Sequence, residues 1–521
     1  MALQNLPIGK QSFEALRSDN LLYVDKTEEI YRLVTTGQIY FLSRPRRFGK
    51  SLLISTLHEL FECNKQLFEG LFIYDKWNWD DPHPALRIDW TLIGYQTTDG
   101  IRQNVFGYIK QIAKKNNISI ESSDYINIFA ETLRKLHEKT GKKVVVLIDE
   151  YDKPVTDHLK DGRAEEFRNV IHDFYQVMKG SDDHIRFILL TGVSKFSGMS
   201  IFSALNNLHD ISLNEEFSTI CGITQQELED NFDGYIQLVA NKYKRSREQL
   251  LADIKLWYNG YSWDGETAVY NPYSTIKFFK EQIFKQHWFN TGTPTFLINI
   301  LKTRGLSDYI LEPQTVSDDE LSAGYSTETL TEIPLLFQTG YLTIKEIFYH
   351  GVRPYYRIET PNLEVREALM NELIGIYYEN KRINADSLRW QLEERLRNAD
   401  EAGLQNGIET LLALTPYDVK MNSEAHFHLT MLIWLNLLGF RVIPEKENDR
   451  GRCDLVMEER DYTVVAELKF SEQKSVETLL DEAMTQIDNR KYCNQYLGRT
   501  LKLAVAFTGK EVGVKLVEVE R

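Results

Sequence analysis

Three stretches of this 521-residue chain carry side chains whose types and spacing suit phosphate chemistry. The first is RPRRFGKS, residues 44–51, with the spacing G-x-x-x-x-G-K-[ST] and Arg44 where the first glycine would stand. In such a loop Gly49 lets backbone N–H groups turn inward around a β-phosphate, where a Cβ would obstruct them. Lys50 reaches the β- and γ-phosphates and the Ser51 hydroxyl ligates Mg²⁺. The nucleotide loop is therefore read as Arg46, Arg47, Phe48, Gly49, Lys50, Ser51 and Leu52. Arg46 and Arg47 suit phosphate or a neighbouring subunit, and equally a solvated surface.

The second stretch, VVVLIDEYDKP (144–154), is an apolar run ending in two acids. At a strand tip Asp149 can hold magnesium through water, and Glu150 can polarise the attacking water; an acidic surface turn would have the same composition. A later run, LLTGVSKFS (189–197), offers Thr191 or Ser194 as a γ-phosphate sensor. Together these features point to ATP with Mg²⁺, and to hydrolysis with Glu150 as the catalytic carboxylate.

The third stretch, GRCDLVMEERDYTVVAELKF (451–470), reads as a tight β-hairpin. If Arg460–Asp461 is a two-residue turn, Asp454 falls directly opposite Glu467, on one side of the sheet. Lys469, two residues along the strand, projects to that same side. Like charges directly opposite destabilise a hairpin unless something cationic sits between them, and two carboxylate oxygens suit a hard divalent ion such as Mg²⁺. Lys469 can then orient or deprotonate a metal-bound water and stabilise a phosphorane, which is metal-assisted phosphodiester hydrolysis. The same three residues would also make a solvated ion-pair cluster. Glu424 opens the apolar helix SEAHFHLTMLIWLNLLGF (423–440) and can point at the metal as an outer ligand, or can simply complement the helix dipole. His428 reads as a packed or surface histidine, and Gln486 and Lys491 as helix-surface residues able to meet backbone phosphates.

The elements that must position these residues follow from periodicity. Short apolar runs at 37–42, 85–89, 143–149 and 186–192 alternate with helical stretches such as 164–180. Continuous β-branched runs suit strands covered on both faces, so the first part of the chain reads as a parallel sheet sandwiched by helices. At Thr224 the texture changes: TQQE (224–227) is a capping box opening a helical region interrupted by WYNGYSWDG (257–265). Residues 340–361 read as two strands around a Gly351–Pro354 turn, as in a winged-helix lid or a small α/β connector. Helical, charged text from Leu363 to Leu414 leads to a last unit from about Met421: an apolar helix, the hairpin, a helix at 477–490 and a strand at 501–509. The expected division is 1–222, 223–362, 363–420 and 421–521.

Composition bounds the alternatives. A chain of this length with 42% hydrophobic and 26% charged residues is folded and multidomain. Its formal net charge of −15 means that a nucleic-acid partner must meet a local basic groove. Four scattered cysteines without a C-x-x-C pair argue for reduced core thiols, not a zinc cage. No apolar leader or spanning run is evident, so a cytoplasmic protein without membrane contact is expected.

Taken together, LPIGKQSFEALRSDNLLYVDKT (6–27), FLSRPRRFGKSLL (41–53), VVVLIDEYDKPV (144–155), LTGVSKFSGMSIFSALNN (190–207), WYNGYSW (257–263) and GYLTI (340–344) resemble the AAA-ATPase-like proteins abundant in Bacteroidetes. The stretch from GRCDLV through AELKF to QIDNRKY (451–492) resembles the PD-(D/E)XK nuclease-superfamily domain that ends those chains. The resemblance implies a P-loop fold of the additional-strand, catalytic-glutamate type, a helical lid and a restriction-endonuclease-like C-terminal domain. It assigns nucleotide roles to Lys50, Ser51, Asp149 and Glu150 and nuclease roles to Asp454, Glu467 and Lys469. The implied function is an ATP-dependent, Mg²⁺-dependent nuclease acting on nucleic acid, DNA in the first place. The alternatives are a nucleotide-switched sensor or scaffold that binds without cutting, and an interaction protein with both sites decayed. No arginine finger is assignable, and a homo-oligomer is compatible with the sequence.

Overall fold

The structure is a computed structural model that describes residues 3–94, 96–158, 162–195, 207–288, 313–322, 332–369, 385–414, 424–440, 442–444, 447–448, 451–459, 461–496 and 498–519. Most of the GMSIFSALNN stretch, Arg460 of the expected turn, the expected start at Met421 and parts of the 363–420 helical text lie outside them. Two compact units form, one from the described residues up to 288 with 313–365, the other from 366 onward.

The first unit is built on five parallel strands, β1 (Ile39–Ser43), β2 (Ala85–Asp89), β3 (Val144–Asp149), β4 (Ile185–Gly192) and β5 (His209–Asp210), in the order β2-β3-β4-β1-β5. Every residue of β1 and β3 is buried, as expected for β-branched and aromatic runs covered by helices on both faces. Strand β4 separates β1 from β3, so the phosphate-type loop and the two acids end non-adjacent strands at the same edge of the sheet. That inserted strand is the additional-strand P-loop arrangement. Helix α1 (Lys50–Phe61) begins directly after the loop.

Beyond the sheet, Thr224 and Glu227 form the anticipated reciprocal capping box at the start of α2 (Gln225–Tyr243), followed by α3 (Arg247–Tyr258) and α4 (Pro272–Glu281). Their apolar faces make one core with Leu22 from the N-terminal segment: Phe232, Ile236, Leu250, Ile254, Phe278 and Phe279 are all buried within it. The wing-like element is a three-stranded antiparallel sheet, where two strands were expected. β6 (Gln314–Ser317) joins β7 (Thr343–His350) and β8 (Arg353–Glu359) in the order β6-β8-β7. The connecting turn is the pair Gly351–Val352, since His350 already faces Arg353 and Pro354 sits within β8 opposite Tyr349.

One buried acid in this unit gives a pH-dependent expectation. The Glu364 carboxylate accepts from the Trp288 backbone N–H at 2.7 Å, and its other oxygen has no partner. Burial pushes its pKa up to about 7, with the hydrogen bond from Trp288 only partly opposing that rise. The folded pKa therefore lies above the unfolded one. The stability this group contributes is complete below about 4.5 and is lost as pH rises through about 7. Thermal melts should show the first unit less stable at pH 8 than at pH 6. Glu364→Gln should flatten that slope, by at most roughly 3 kcal/mol at about 1.4 kcal/mol per pH unit.

In the second unit, α5 (Ala385–Arg397) and α6 (Glu401–Leu414) precede α7 (Glu424–Leu437), β9 (Val442–Pro444) and a short ladder of β10 (Glu447–Asn448) with β11 (Gly451–Arg452). Then come β12 (Leu455–Glu458), β13 (Thr463–Phe470), α8 (Val476–Arg490), β14 (Thr500–Phe507) and β15 (Val512–Glu518). The sheet is mixed, in the order β15-β14-β13-β12-β9, with β13 and β14 parallel and joined through α8. Strand β13 is central, and its run from Val464 to Leu468 is wholly buried. Cys221, Cys453 and Cys493 are buried, and Cys63 is partly exposed. No helix among the described residues is long and apolar enough to cross a membrane.

Candidate nucleotide and metal sites

The β1–α1 loop turns as its glycine requires, but for a different reason than crowding. Gly49 has φ +95°, a region L side chains rarely adopt, while nothing lies within 4 Å of where its Cβ would stand. Arg47 (φ 67°) and Glu150 (φ 53°) hold left-handed backbone without being glycine, a strain of the kind that gathers at functional sites. The Lys50 ammonium is 3% exposed and folds back on its own loop. It donates to the carbonyls of Arg44 at 3.0 Å and Pro45 at 3.1 Å, and lies 3.7 Å from Glu150 Oε1. Ser51 hydrogen-bonds to Asp149, and Thr191 Oγ1 donates to Asp149 Oδ1 at 2.8 Å. Burial raises the Asp149 pKa, with the Glu150 charge adding to the rise and the Ser51 and Thr191 hydroxyls opposing it.

Several residues depart from expectation. Ser194, considered as a γ-phosphate sensor, is buried and donates its hydroxyl to Asp152 Oδ2 at 2.7 Å, because Asp152 is itself buried and needs donors. Phe48 is buried edge-on against Tyr261 and Trp263, so it anchors the loop through its ring. Arg44, taken as a departure from the loop pattern, is fully buried. Its guanidinium donates to the carbonyls of Ser43, Ser212 and Phe217 and stacks 3.9 Å over Trp263. Burial lowers its pKa to about 10, which leaves it charged at neutral pH. Arg47 is exposed over the Tyr273 ring at 5.1 Å, while the Arg46 carbonyl accepts from the Trp288 indole at 2.9 Å.

A cavity of about 520 Å³ opens over this loop, lined by Arg46 through Leu53 and by Glu150. Its volume falls within the range of small-molecule sites. It is also lined by residues to which the sequence assigned no chemistry, among them Pro7, Lys10, Leu22 and Lys26 near the N-terminus and Pro272 and Tyr273 at the start of α4. The stretch 6–27 stood out only through the family resemblance, which assigns none of its residues a role.

In the second unit the hairpin has the expected register. Leu455 pairs with Ala466 and Glu458 with Thr463, and the Glu459 N–H donates to the Tyr462 carbonyl, so Asp454 stands opposite Glu467 just beyond the ladder. Asp454 Oδ2 accepts from the Leu468 N–H at 2.7 Å. The Glu467 side chain is 0% exposed. Its Oε2 accepts from Gln486 Nε2 at 2.9 Å, and its Oε1 has no hydrogen-bond partner. Burial, then the Asp454 charge and a hydrogen bond to that carboxyl, push the Glu467 pKa up to about 9, against the pull of Lys469. Burial works against the Lys469 ammonium, but Asp454, Glu424 and Glu467 outweigh it and hold its pKa above the ordinary lysine value. In this arrangement Lys469 is a fixed positive charge, better suited to orienting and charge stabilisation than to taking a proton.

Three neighbours differ from the sequence reading. Glu424, expected as an outer metal ligand, is paired with Lys469 at 3.2 Å, drawn by the nearer ammonium at the half-exposed helix start. Among the described residues no group of three or more His, Cys, Asp or Glu is spaced to hold a metal ion, so the expected three-carboxylate set is not assembled. His428 is less peripheral than expected: Nε2 donates to the Leu468 carbonyl at 2.7 Å and lies 3.4 Å from Asp454 Oδ2. Gln486, read as a phosphate contact, serves the Glu467 carboxyl; Lys491 is the exposed C-cap of α8. The Asp454–Glu467 pair nonetheless fits a divalent cation. Two facing carboxyls, one of them buried with an oxygen that has no hydrogen-bond partner, supply the hard oxygen donors such an ion requires.

Comparison with known proteins bears on both units. A family profile described as predicted AAA-ATPase matches residues 7–202, and one described as PD-(D/E)XK nuclease superfamily matches residues 422–516. The chain is 36% identical over 510 residues to an uncharacterized protein in the vnfD 5′ region of Azotobacter chroococcum mcd 1, covering 96% of this chain and 95% of that protein. Among solved structures, the Aeropyrum pernix ORC1 protein in complex with DNA aligns at 10% identity and TM-score 0.25, over 67% of this chain and 93% of that one. The Aeropyrum pernix ORC2 protein in ADPNP–ADP complexes aligns at 11% and 0.24, over 67% and 88%. Those scores are too low to bear on function.

Proposed function

Because this chain belongs to the family of predicted AAA-ATPases that carry a PD-(D/E)XK nuclease-superfamily domain, we propose that it binds and hydrolyses ATP and cleaves nucleic acid, DNA in the first place, with Mg²⁺. In this reading residues 1–222 form the ATPase domain, 223–362 the lid, 363–420 a linker and 421–521 the nuclease domain. The observation that carries it is the buried Glu467 oxygen without a partner, facing Asp454 and beside Lys469.

At the C-terminal site Asp454 and Glu467 would hold the divalent ion, which when bound supplies Lewis acidity and an ionisable water. Gln486 fixes the Glu467 carboxyl by donating to Oε2. His428 and the Leu468 N–H fix the adjoining backbone and Asp454. Lys469 keeps its positive charge where negative charge builds on the scissile phosphate. At the nucleotide site Ser51 and Asp149 would hold Mg²⁺, Lys50 would leave the Arg44 and Pro45 carbonyls for the phosphates, and Glu150 would orient the attacking water. Arg46, Arg47, Phe48, Gly49 and Leu52 shape the cradle, and Thr191 holds Asp149 in place.

Plasmid and linear DNA incubated with Mg²⁺ or Mn²⁺, with and without ATP, test the proposal. Metal-dependent cleavage by the wild type should fall by at least about 10²-fold in Lys469→Ala. Equal cleavage by both proteins would reject the site. A second reading, a nucleotide-switched scaffold that binds without cutting, is favoured by one feature: Lys50 is held by its own loop carbonyls, which suits slow turnover. It predicts nucleotide-dependent changes in mass or conformation with no cleavage. In either reading Lys50→Ala should weaken ATP binding by about 10²-fold, measured by titration with a fluorescent ATP analogue.

A further inference from the structure

The three-stranded sheet of the first unit buries one face toward its base, although Tyr349 near the tip of that side is 69% exposed, and leaves the other open with a specific chemistry. On the inner side Val316, Tyr356 and Ile358 are 2%, 7% and 0% exposed. Residues paired directly across antiparallel strands share a face, so the register assigns the outer side: Phe348 with Tyr355 and Ser317, His350 with Arg353, and Arg357 with Glu346 and Thr315. Phe348 and Tyr355 lie side by side with ring planes only 19° apart and centroids 5.9 Å apart, and His350 meets the Tyr355 ring edge-on. Arg353 stands at the hairpin tip and Arg357 at the base, where it reaches Glu346 at 3.3 Å.

Two acids stand at the base of the hairpin, Glu346 paired with Arg357 and Glu359 at the end of β8, and none lies between Ile347 and Ile358, in a chain whose formal net charge is −15. Phe348 remains 36% exposed, and at the turn Val352 is 93% exposed. Near-parallel rings on an open sheet, flanked by arginines, match what unpaired nucleotides require: flat π-faces for the bases and cationic forks for the phosphates beside them. Duplex DNA hides the faces of its bases and could not use the rings; a protein partner, for which aromatic and arginine side chains are also suited, is the competing outcome of the test.

We infer that the β7–β8 face of the first unit is a binding surface for single-stranded nucleic acid, with bases stacking on Phe348 and Tyr355 and phosphates contacting Arg353 and Arg357. The surface lies outside both candidate sites. It goes beyond the proposed nuclease function and would persist in a chain that cleaves nothing.

The test is fluorescence anisotropy of the full chain with labelled oligothymidylate and oligouridylate of about 15 nucleotides, in EDTA so that no cleavage intervenes. Phe348→Ala/Tyr355→Ala should bind at least about tenfold more weakly, whereas Tyr355→Trp, which keeps a ring, should bind as the wild type does. Arg353→Ala should reduce the slope of log affinity against log salt by about one. Leu256→Ala, an exposed apolar position on α3, serves as the control and should change nothing. Photocrosslinks from iodouridine-substituted strands should map to residues 348–355. Comparing the two oligonucleotides separates DNA from RNA as the source of the strand. Unchanged affinity in the ring variants, with crosslinks mapping only to the C-terminal unit or absent, would overturn the inference and leave this face as a protein-docking surface.

Discussion

Glu467→Gln is expected to abolish metal-dependent cleavage and, at the same time, to stabilise the metal-free protein. The wild-type carboxyl is buried, faces Asp454, and leaves one oxygen without a partner, so ionising it in place is costly. A glutamine amide has nearly the same shape, keeps an oxygen for the Gln486 donor, and offers Asp454 an N–H instead of a competing charge. Without divalent ions the variant should therefore melt higher at pH 7–8, by about 1–3 kcal/mol. Adding Mg²⁺ reverses the order. The wild type should gain about 2.7 kcal/mol at a hundred times its dissociation constant, and the variant should gain almost nothing. Lys469→Ala should behave differently, losing cleavage but keeping the metal-induced stabilisation, because its ammonium competes with a cation for the same carboxylates. Differential scanning fluorimetry with and without Mg²⁺, run beside the cleavage assay, separates the two outcomes. If the Glu467→Gln variant melts lower than the wild type without metal, the carboxyl is a structural ion-pair partner of Lys469.

Arg44→Gly carries the second large effect. Restoring the glycine that the loop pattern calls for should damage the protein, not improve it. Removing the side chain leaves the carbonyls of Ser43, Ser212 and Phe217 without their donor and opens a void beside Trp263. Loss of a buried charged side chain that serves three carbonyls, together with the cavity it leaves, costs about 3–5 kcal/mol. Urea unfolding should register that loss in the first unit, and ATP binding should weaken with it, since the main-chain carbonyl of residue 44 is itself an acceptor for Lys50. Arg44→Lys keeps the charge but neither the fork nor the stack, and should fall between the two. Wild-type stability in Arg44→Gly, with faster ATP turnover, would mean that the arginine is a brake and not a brace.

These two positions also mark how far the residues could be read before any coordinates. The Asp454–Glu467 juxtaposition was legible because a two-residue turn fixes register along a whole hairpin, and register fixes faces. The strands ending at Ser43 and Asp149 were legible because buried parallel strands are written as continuous apolar runs. The Thr224 cap was legible because its chemistry is local to four residues. What stayed hidden depends on side chains arriving from elsewhere in the sequence. That Gln486 would turn toward Glu467, or His428 toward Leu468, depends on the azimuth at which α8 and α7 pack, which periodicity does not determine. The Trp288 indole reaches Arg46 across 242 positions, and β6 was too short to announce itself. Arg44 was misjudged for the same reason: its three acceptors and Trp263 are contributed mostly by later parts of the chain.

The central claim is that a divalent cation occupies the space between the two facing acids. The most direct measurement is anomalous diffraction at the manganese edge from crystals of the nucleotide-free protein grown with Mn²⁺. A peak between the Asp454 and Glu467 carboxylates, in contact with Glu467 Oε1, is the predicted result. Crystals showing no peak there, with the Lys469 ammonium bridging the two acids instead, would contradict it.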